Sequence, residues 1–156
     1  MSAARRSFWV TNRLVNPVLR PMLRGPLGRW FGSHLAVVRY RGRRSGNRYE
    51  LVAQYARDGS TVWIVPGSPE RKTWWRNLRE PAEIELWLAG HHFRGRARAI
   101  EGASDPGAAR EGLAVYLGQL PRVRKSLGLA SPSAGPDPAL EQLTTRAVIV
   151  RVDLPA

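Results

Sequence analysis

The chain has 156 residues, 43% of them hydrophobic, and a formal net charge of +13, a composition that suits one folded domain. It contains no cysteine, which excludes disulfide bonds, thiolate catalysis and cysteine-ligated metals. The charge predicts a surface that attracts anions, such as nucleic acid, acidic lipids, phosphates or carboxylates.

The N-terminal segment, residues 1–32, is basic and carries apolar residues at roughly helical spacing, interrupted by prolines. We predict one or two short amphipathic helices there. They either cover the end of a sheet or, through residues 7–32, contact a membrane or a lipophilic substrate. The segment lacks the apolar core of a signal peptide, and no apolar run approaches the ~18–20 residues of a membrane span, so we expect a cytoplasmic protein.

Residues 33–101 are predicted to form the core of a barrel with one inserted helix. The predicted β runs lie at 35–40, 48–56, 61–66, 82–88 and 91–101. The first three are joined by two short turns, the second at Asp58-Gly59, which predicts an antiparallel meander. A helix is predicted at 69–79, with Ser68 as its N-cap.

The C-terminal part is predicted to contain helix over 105–127, a flexible loop at 131–138 and a last strand at 144–152. No internal repeat is present. Short connections between about six antiparallel strands predict a mainly-β fold of the α+β class. We expect a closed or partly closed barrel with flanking helices, formed by residues 1–156 as a single domain.

Several common sites are excluded by the absence of their motifs. No GxGxxG sequence follows a strand and no complete phosphate-binding P-loop is present. His91 and His92 are adjacent on a predicted strand and therefore point to opposite faces, while His34 stands alone. We expect no metal site.

Two cationic segments remain as candidate sites. In the turn RGRRSGNR, two glycines permit unusual backbone angles, and Arg43, Arg44 and Ser45 are suited to converge on a phosphate. The alternative is a charged hairpin that protects a sheet edge. In the segment VPGSPERKTWWRNLR, Gly67 lets a ligand approach the backbone, and the start of the predicted helix favours an anion near Arg71 and Lys72. The alternatives are a solvated helix end and tryptophans that pack in the core.

These motifs in this order resemble the deazaflavin-dependent nitroreductase family. The resemblance rests on RGRRSGNRYELVAQYARDGSTVWIV followed by WWRNL and covers roughly residues 35–100. It implies a split β-barrel that uses coenzyme F420, a deazaflavin. Where the family has a basic residue after the turn, this chain has Tyr49, with Arg48 beside it.

The resemblance also implies a set of cofactor-binding residues. The turn would hold the phosphate and acidic tail of the coenzyme, and the end of the third strand would lie against the deazaflavin ring. Two positions of the following helix would close the site. The residues assigned in this way, with two basic neighbours added as plausible partners of the tail, are Arg43, Arg44, Ser45, Arg48, Val65, Pro66, Gly67, Arg71, Lys72, Trp74 and Asn77.

The implied activity is hydride transfer from the reduced coenzyme to a small organic acceptor, such as a quinone or a nitro compound, and we expect the protein to form a homodimer. Tyr116 is a candidate for supplying a proton. One alternative keeps the barrel and replaces F420 by FMN. Another is a non-enzymatic binder, either a deazaflavin or flavin carrier or a protein that attaches to nucleic acid or another anionic surface. Binding of nucleic acid would weaken steeply with salt, and we do not favour it.

Overall fold

A computed structural model describes residues 34–129 and 137–156. The predicted N-terminal helices, with their membrane contact, and nearly all of the predicted loop at 131–138 lie outside these residues. Among the described residues, no helix is both long enough and apolar enough to cross a membrane.

The described part of the chain contains seven strands, three α-helices and a short 3₁₀ helix. The strands are β1 Leu35–Arg41, β2 Arg48–Gln54, β3 Ala56–Asp58, β4 Thr61–Ile64, β5 Ala82–Leu88, β6 His91–Glu101 and β7 Val148–Asp153. The helices are the 3₁₀ helix Trp74–Leu78 and the α-helices α1 Pro106–Gln119, α2 Pro121–Ser126 and α3 Pro138–Arg146. β5 and β6 have the predicted bounds, because alternating side chains and the turn at Ala89-Gly90 mark both ends of the hairpin.

The strands are hydrogen-bonded in the order β2-β1-β5-β6-β7-β4-β3, and the pairs of known register are antiparallel. Both antiparallel hairpins of the predicted meander are present, β1–β2 and β3–β4. The meander is not continuous, however, since β2 and β3 stand at opposite ends of this order. The run 48–56 is two strands separated at Tyr55, which raises the strand number from about six to seven. The break carries no glycine or proline, so the sequence gives no turn signal there.

The chain divides into two compact units by its internal contacts. The first contains the described residues up to Gln54 together with Ile84–Arg94. In it β1 pairs with β2 along its whole length and with β5 on its other side. Val37, Val38 and Leu86 have no exposed surface, so the middle of β1 is covered on both faces.

The second unit, Tyr55–Glu83 and Gly95–Ala156, has a hydrophobic cluster beneath α1. Leu113 and Leu117 lie one turn apart on α1 and pack in the same cluster as Trp63 and Ile149. Gly112 makes this packing close, since a Cβ there would lie 2.6 Å from the Trp63 ring and 3.0 Å from Ile149. The sequence of α1 is weakly amphipathic, and burial of this one face explains why it forms a helix.

The predicted helix at 69–79 is wrong in type and extent. Ser68 has a φ of 49° and is not an N-cap; its carbonyl accepts the N–H groups of Arg71 at 2.9 Å and Lys72 at 3.0 Å. Regular helix begins only at Trp74, as a 3₁₀ helix of five residues. The indole Nε1–H of Trp75 donates to the Pro69 carbonyl at 2.9 Å, which favours this turn over a continuous helix.

The C-terminal helices begin as their sequences allow. The Asp105 carboxylate accepts the Ala108 N–H at 3.1 Å before α1, and Pro121 divides the predicted helical stretch 105–127 into α1 and α2. The helix α3 was not predicted, although Asp137 caps it through the Ala139 N–H at 3.0 Å. The last strand begins at Val148 rather than 144, because α3 occupies the residues before it.

Candidate functional site

The residues predicted to bind the cofactor fall into two groups, one in each unit. The first group is the turn between β1 and β2, residues 42–47, with Arg48 at the start of β2. The second group runs from the end of β4 to the 3₁₀ helix, residues 65–77. All residues of a group belong to the same unit.

The turn of the first unit is closed by backbone hydrogen bonds. The Gly42 N–H donates to the Asn47 carbonyl at 2.8 Å, and the Gly46 N–H donates to the Gly42 carbonyl at 2.8 Å. Gly46 has a φ of 69°, a conformation that L side chains rarely adopt. The Ser45 hydroxyl accepts the Asn47 N–H at 3.2 Å, so Ser45, which is predicted to bind the cofactor, also stabilises the turn.

Positive charge is concentrated at this turn, on Arg43 and Arg44 within it and on Arg41 and Arg48 beside it. Arg41 and Arg48 are directly opposite each other in the β1–β2 register, which places like charges side by side. Arg43 and Arg44 are exposed on the turn between them. Among the residues that the structure describes, no carboxylate forms an ion pair with Arg41, Arg44 or Arg48.

Another arginine of the same strand shows that carboxylates are available to this sheet. Arg39 forms ion pairs with Glu50 at 2.7 Å and Glu85 at 2.9 Å, and its guanidinium lies 4.8 Å from the centre of the Trp87 ring. The hydrogen bond to Glu50 raises the pKa of Arg39. Positive charge is thus compensated in the middle of β1 and left uncompensated at its end, where the turn begins.

Tyr49 contacts this turn and was not predicted as a functional residue. Its hydroxyl lies 3.3 Å from the Ser45 hydroxyl, and its ring is stacked on Tyr40 with centroids 5.6 Å apart. The hydrogen bonds with Ser45 and Asn47 lower the pKa of Tyr49. The only sequence signal for this contact is the spacing of a serine and a tyrosine across a turn that contains glycine.

In the second unit, Gly67 presents open backbone at the end of β4. Val65 is half-buried and Pro66 buried, whereas Gly67 is exposed. A Cβ built on Gly67 would meet one atom within 4 Å, the Lys72 Nζ at 3.9 Å. Partial burial lowers the pKa of Lys72. The cation that lies beside the exposed glycine is therefore Lys72, while Arg71 is exposed.

Arg71 and Lys72 precede the 3₁₀ helix, so they do not lie at a helix start as predicted. Trp74 is half-buried, and Trp75 is the tryptophan of this pair that enters the core, with 4% of its surface exposed. Residues three apart eclipse in a 3₁₀ helix, and the Asn77 Nδ2 donates to the Trp74 carbonyl at 2.9 Å. Asn77 and Trp74 thus lie on one face of the 3₁₀ helix.

Tyr116 occupies a position that does not suit a proton donor. It belongs to the hydrophobic cluster of the second unit, and 4% of its surface is exposed. Burial raises its pKa to about 12, so the phenol holds its proton firmly. The geometry favours a structural role for Tyr116.

Metal ligands are not grouped in the described residues, where no three or more His, Asp or Glu side chains are placed to hold an ion. The His92 ring lies against Trp87, with centroids 4.7 Å apart, and its Nε2 is 3.6 Å from a Glu85 carboxylate oxygen. These contacts with Trp87 and Glu85 explain the position of the His92 side chain without a metal ion.

Solved structures show the same fold as this chain. An F420-H2 dependent reductase is 13% identical, with a TM-score of 0.52 over 76% of this chain and 93% of that chain. A protein described as a domain-swapped dimer is 12% identical, with a TM-score of 0.53 over 90% and 98%. A conserved hypothetical protein from Mycobacterium tuberculosis is 18% identical, with a TM-score of 0.53 over 80% and 75%. The predicted split β-barrel with flanking helices is confirmed, with seven antiparallel strands.

Sequence comparison identifies the family. The model of the F420H(2)-dependent quinone reductase family matches residues 19–112, which is more than half of the chain. Among curated proteins, no sequence matches this chain significantly. The matched range includes both groups of predicted cofactor residues, and the resemblance first indicated by the RGRRSGNR and WWRNL segments is confirmed. The chain belongs to the F420H(2)-dependent quinone reductase family.

Proposed function

We propose that this protein is a reductase that binds reduced F420 and reduces a small organic acceptor, with quinones as the first acceptor class and nitro compounds as the second. The family match over residues 19–112 supports the coenzyme. The observation that carries the proposal is the concentration of arginines at the β1–β2 turn, where Arg41 and Arg48 face each other and no described carboxylate pairs with them or with Arg44. A polyanionic ligand would neutralise this charge.

The chemistry of the turn fits the phosphate and acidic tail of the coenzyme. Arg43 and Arg44 would bind it through guanidinium groups, whose planar fork matches both phosphate and carboxylate oxygens. Arg48 would add charge from the start of β2, and Ser45, whose oxygen accepts the Asn47 N–H, would lie beside the anion. An exposed turn of this kind binds an extended, flexible anion without a deep pocket.

The second group is suited to the ring of the coenzyme. The open backbone at Gly67, after Val65 and Pro66, would lie against the flat deazaflavin, and Trp74 and Asn77 would limit access of water to it. Lys72 beside Gly67 would provide a positive charge for the ring or the tail, with Arg71 as an outer contributor.

Reduced F420, when bound, supplies a hydride, and a quinone that accepts it takes up one proton to become the hydroquinone. The chain would hold the acceptor close to the coenzyme and exclude water from the site. No nucleophilic side chain is required. We propose that solvent supplies this proton, because Tyr116 is buried in the hydrophobic cluster of the second unit.

A protein of this fold is described as a domain-swapped dimer, which supports our proposal that this chain forms a homodimer. The contact of residues 7–32 with a membrane or a lipophilic acceptor stays a prediction from the sequence.

The proposal is tested by the double variant Arg43→Ala/Arg44→Ala in a fluorescence titration with F420. Loss of two charge-assisted contacts is expected to weaken binding by about 10- to 100-fold. The matched control is Arg122→Ala/Lys125→Ala, which removes two exposed positive charges at α2. Equal weakening by both double variants would show general attraction of anions to a basic protein, and unchanged affinity in the first would remove the turn from the site.

A further inference from the structure

We infer that Tyr49 is a positioning residue: it holds the cationic turn in the shape that receives the polyanionic part of the ligand. This inference rests on the proposed function, since it concerns how the same turn binds its ligand. Tyr49 is not in the predicted site, and its side chain acts on the turn through contacts on three sides.

The first contact is between the Tyr49 ring and Gly42, where the turn begins. A Cβ built on Gly42 would lie 2.8 Å from the Tyr49 Cε2 and 2.7 Å from the Ser45 Oγ, so the ring and the hydroxyl both occupy the space above that glycine. Gly42 is not in the left-handed region, and its lack of a side chain is explained by this close approach rather than by its backbone angles.

The second and third contacts fix the ring itself. The face of Tyr49 is stacked on Tyr40, its cross-strand neighbour in the β1–β2 register, with an interplanar angle of 25°. Its hydroxyl reaches the Ser45 hydroxyl at 3.3 Å, and Ser45 in turn accepts the Asn47 N–H. The ring therefore connects the end of the sheet to both the first and the middle residues of the turn.

The charges explain why this turn needs such a contact. Arg41 and Arg48 repel each other across the two strands, and Arg43 and Arg44 add two charges within the same few residues. Mutual repulsion favours arginine side chains that spread apart and a turn that opens. A turn held by Tyr49 presents its guanidinium groups together before the ligand arrives, which reduces the entropy lost on binding.

The exposure of Tyr49 distinguishes this role from core packing. Tyr49 is 43% exposed, and among the described residues it and Leu127, at 48%, are the large hydrophobic side chains classed as exposed. Removal of an exposed ring leaves no internal cavity, so the fold loses little while the turn loses its support. Leu127, which follows α2 in the other unit, offers a matched control.

The experiment measures the affinity of the full chain for two ligands, oxidised F420 and the deazaflavin chromophore without its phosphate and acidic tail. The variants are Tyr49→Ala, Tyr49→Phe, Gly42→Ala and the control Leu127→Ala. Tyr49→Ala removes the ring, Gly42→Ala displaces it from the opposite side, and Tyr49→Phe removes the hydroxyl alone. Thermal unfolding of each variant reports its fold.

We expect Tyr49→Ala and Gly42→Ala to weaken F420 binding by about 10-fold or more, and Tyr49→Phe by about 2- to 5-fold. Affinity for the tailless chromophore should stay within about 2-fold of the unmodified protein, as should both affinities of Leu127→Ala. This selectivity for the tail is a readout that a purely structural role would not change. If Tyr49→Ala fails to fold, the affinities of Tyr49→Phe and Gly42→Ala for the two ligands decide whether Tyr49 positions the turn.

Unchanged F420 affinity in Tyr49→Ala and Gly42→Ala would overturn the inference and leave the proposed function intact. Equal losses for both ligands would also overturn it, since the tail would then not be the part affected. If the unmodified chain does not bind F420, the proposed function itself fails and the inference falls with it. The three results are distinct in a single set of titrations.

Discussion

The substitution Gly67→Ala separates a ligand contact from a structural one. Among the described residues, an added Cβ would meet only the end of the flexible Lys72 side chain, at the ordinary van der Waals distance of 3.9 Å. Gly67 is also outside the left-handed region, so alanine fits its backbone without strain. The free energy of unfolding should therefore be unchanged or rise by up to about 1 kcal/mol, because alanine restricts the unfolded chain.

The ligand should respond differently. If the backbone at Gly67 lies against the deazaflavin ring, a methyl group there must be accommodated at a close contact. Forcing an extra methyl into a packed contact costs about 1–3 kcal/mol, which corresponds to an affinity lower by roughly 5- to 150-fold. The measurements are a fluorescence titration with F420 and urea-induced unfolding of the same preparations.

The matched control is Gly118→Ala on α1, where an added Cβ meets no atom of the structurally described residues within 4 Å. It should raise stability by about 0.5–1 kcal/mol and leave affinity unchanged, because alanine is the better helix former. Unchanged affinity of Gly67→Ala would show that the ring does not contact this backbone. A loss of affinity accompanied by a loss of stability would contradict the open surroundings on which the reasoning depends.

Two further substitutions test the second unit. Gly112→Ala should lower the free energy of unfolding by about 1–2 kcal/mol in urea titrations, because its Cβ would lie 2.6 Å from the Trp63 ring; a stability equal to that of Gly118→Ala would contradict the packing. Tyr116→Phe should leave the reductase rate unchanged, and a large loss of rate would restore Tyr116 as a proton donor. The Tyr116 pKa of about 12 lies above its unfolded value of about 10, so its contribution is present below pH 10 and lost as the pH rises toward 12. Tyr116→Phe should therefore reduce the fall in stability over that interval, measured by denaturation at each pH.

Local signals in the sequence were sufficient for the strands that have regular alternation and clear turns. The β5–β6 hairpin has both, and its bounds match the prediction. The break at Tyr55 has neither, because no glycine or proline marks it. The order of strands depends on pairings far apart in the chain. No local pattern places β2 and β3 at opposite ends of the sheet.

The error at residues 69–79 has a specific cause. Serine, proline and a tryptophan-rich polar run are typical of a helix start, but the Trp75 indole satisfies the Pro69 carbonyl and makes a turn favourable there. The helix α3 was missed because its nine residues run directly into strand-like sequence. Tertiary packing, which includes a fully buried Thr144, decides in favour of helix.

Part of the candidate site was predictable from residue type alone. Arg43, Arg44 and Gly67 are marked by their residue types, since charge and glycine carry meaning without a fold. The burial of Tyr116, by contrast, depends on the position of α1 over Trp63, which no pattern near Tyr116 reveals. The contact of Tyr49 with Gly42 arises from cross-strand register, which also lies beyond local sequence.

The central claim is that this chain binds F420, and a titration of the purified full chain tests it most directly. Oxidised F420 and FMN are titrated side by side at moderate salt, with fluorescence as the readout, and the F420 titration is repeated at high salt. The account predicts saturable binding of F420, tighter than that of FMN, that persists in part at high salt. Absence of saturable F420 binding, or binding that disappears with salt as for a simple polyanion, would contradict it.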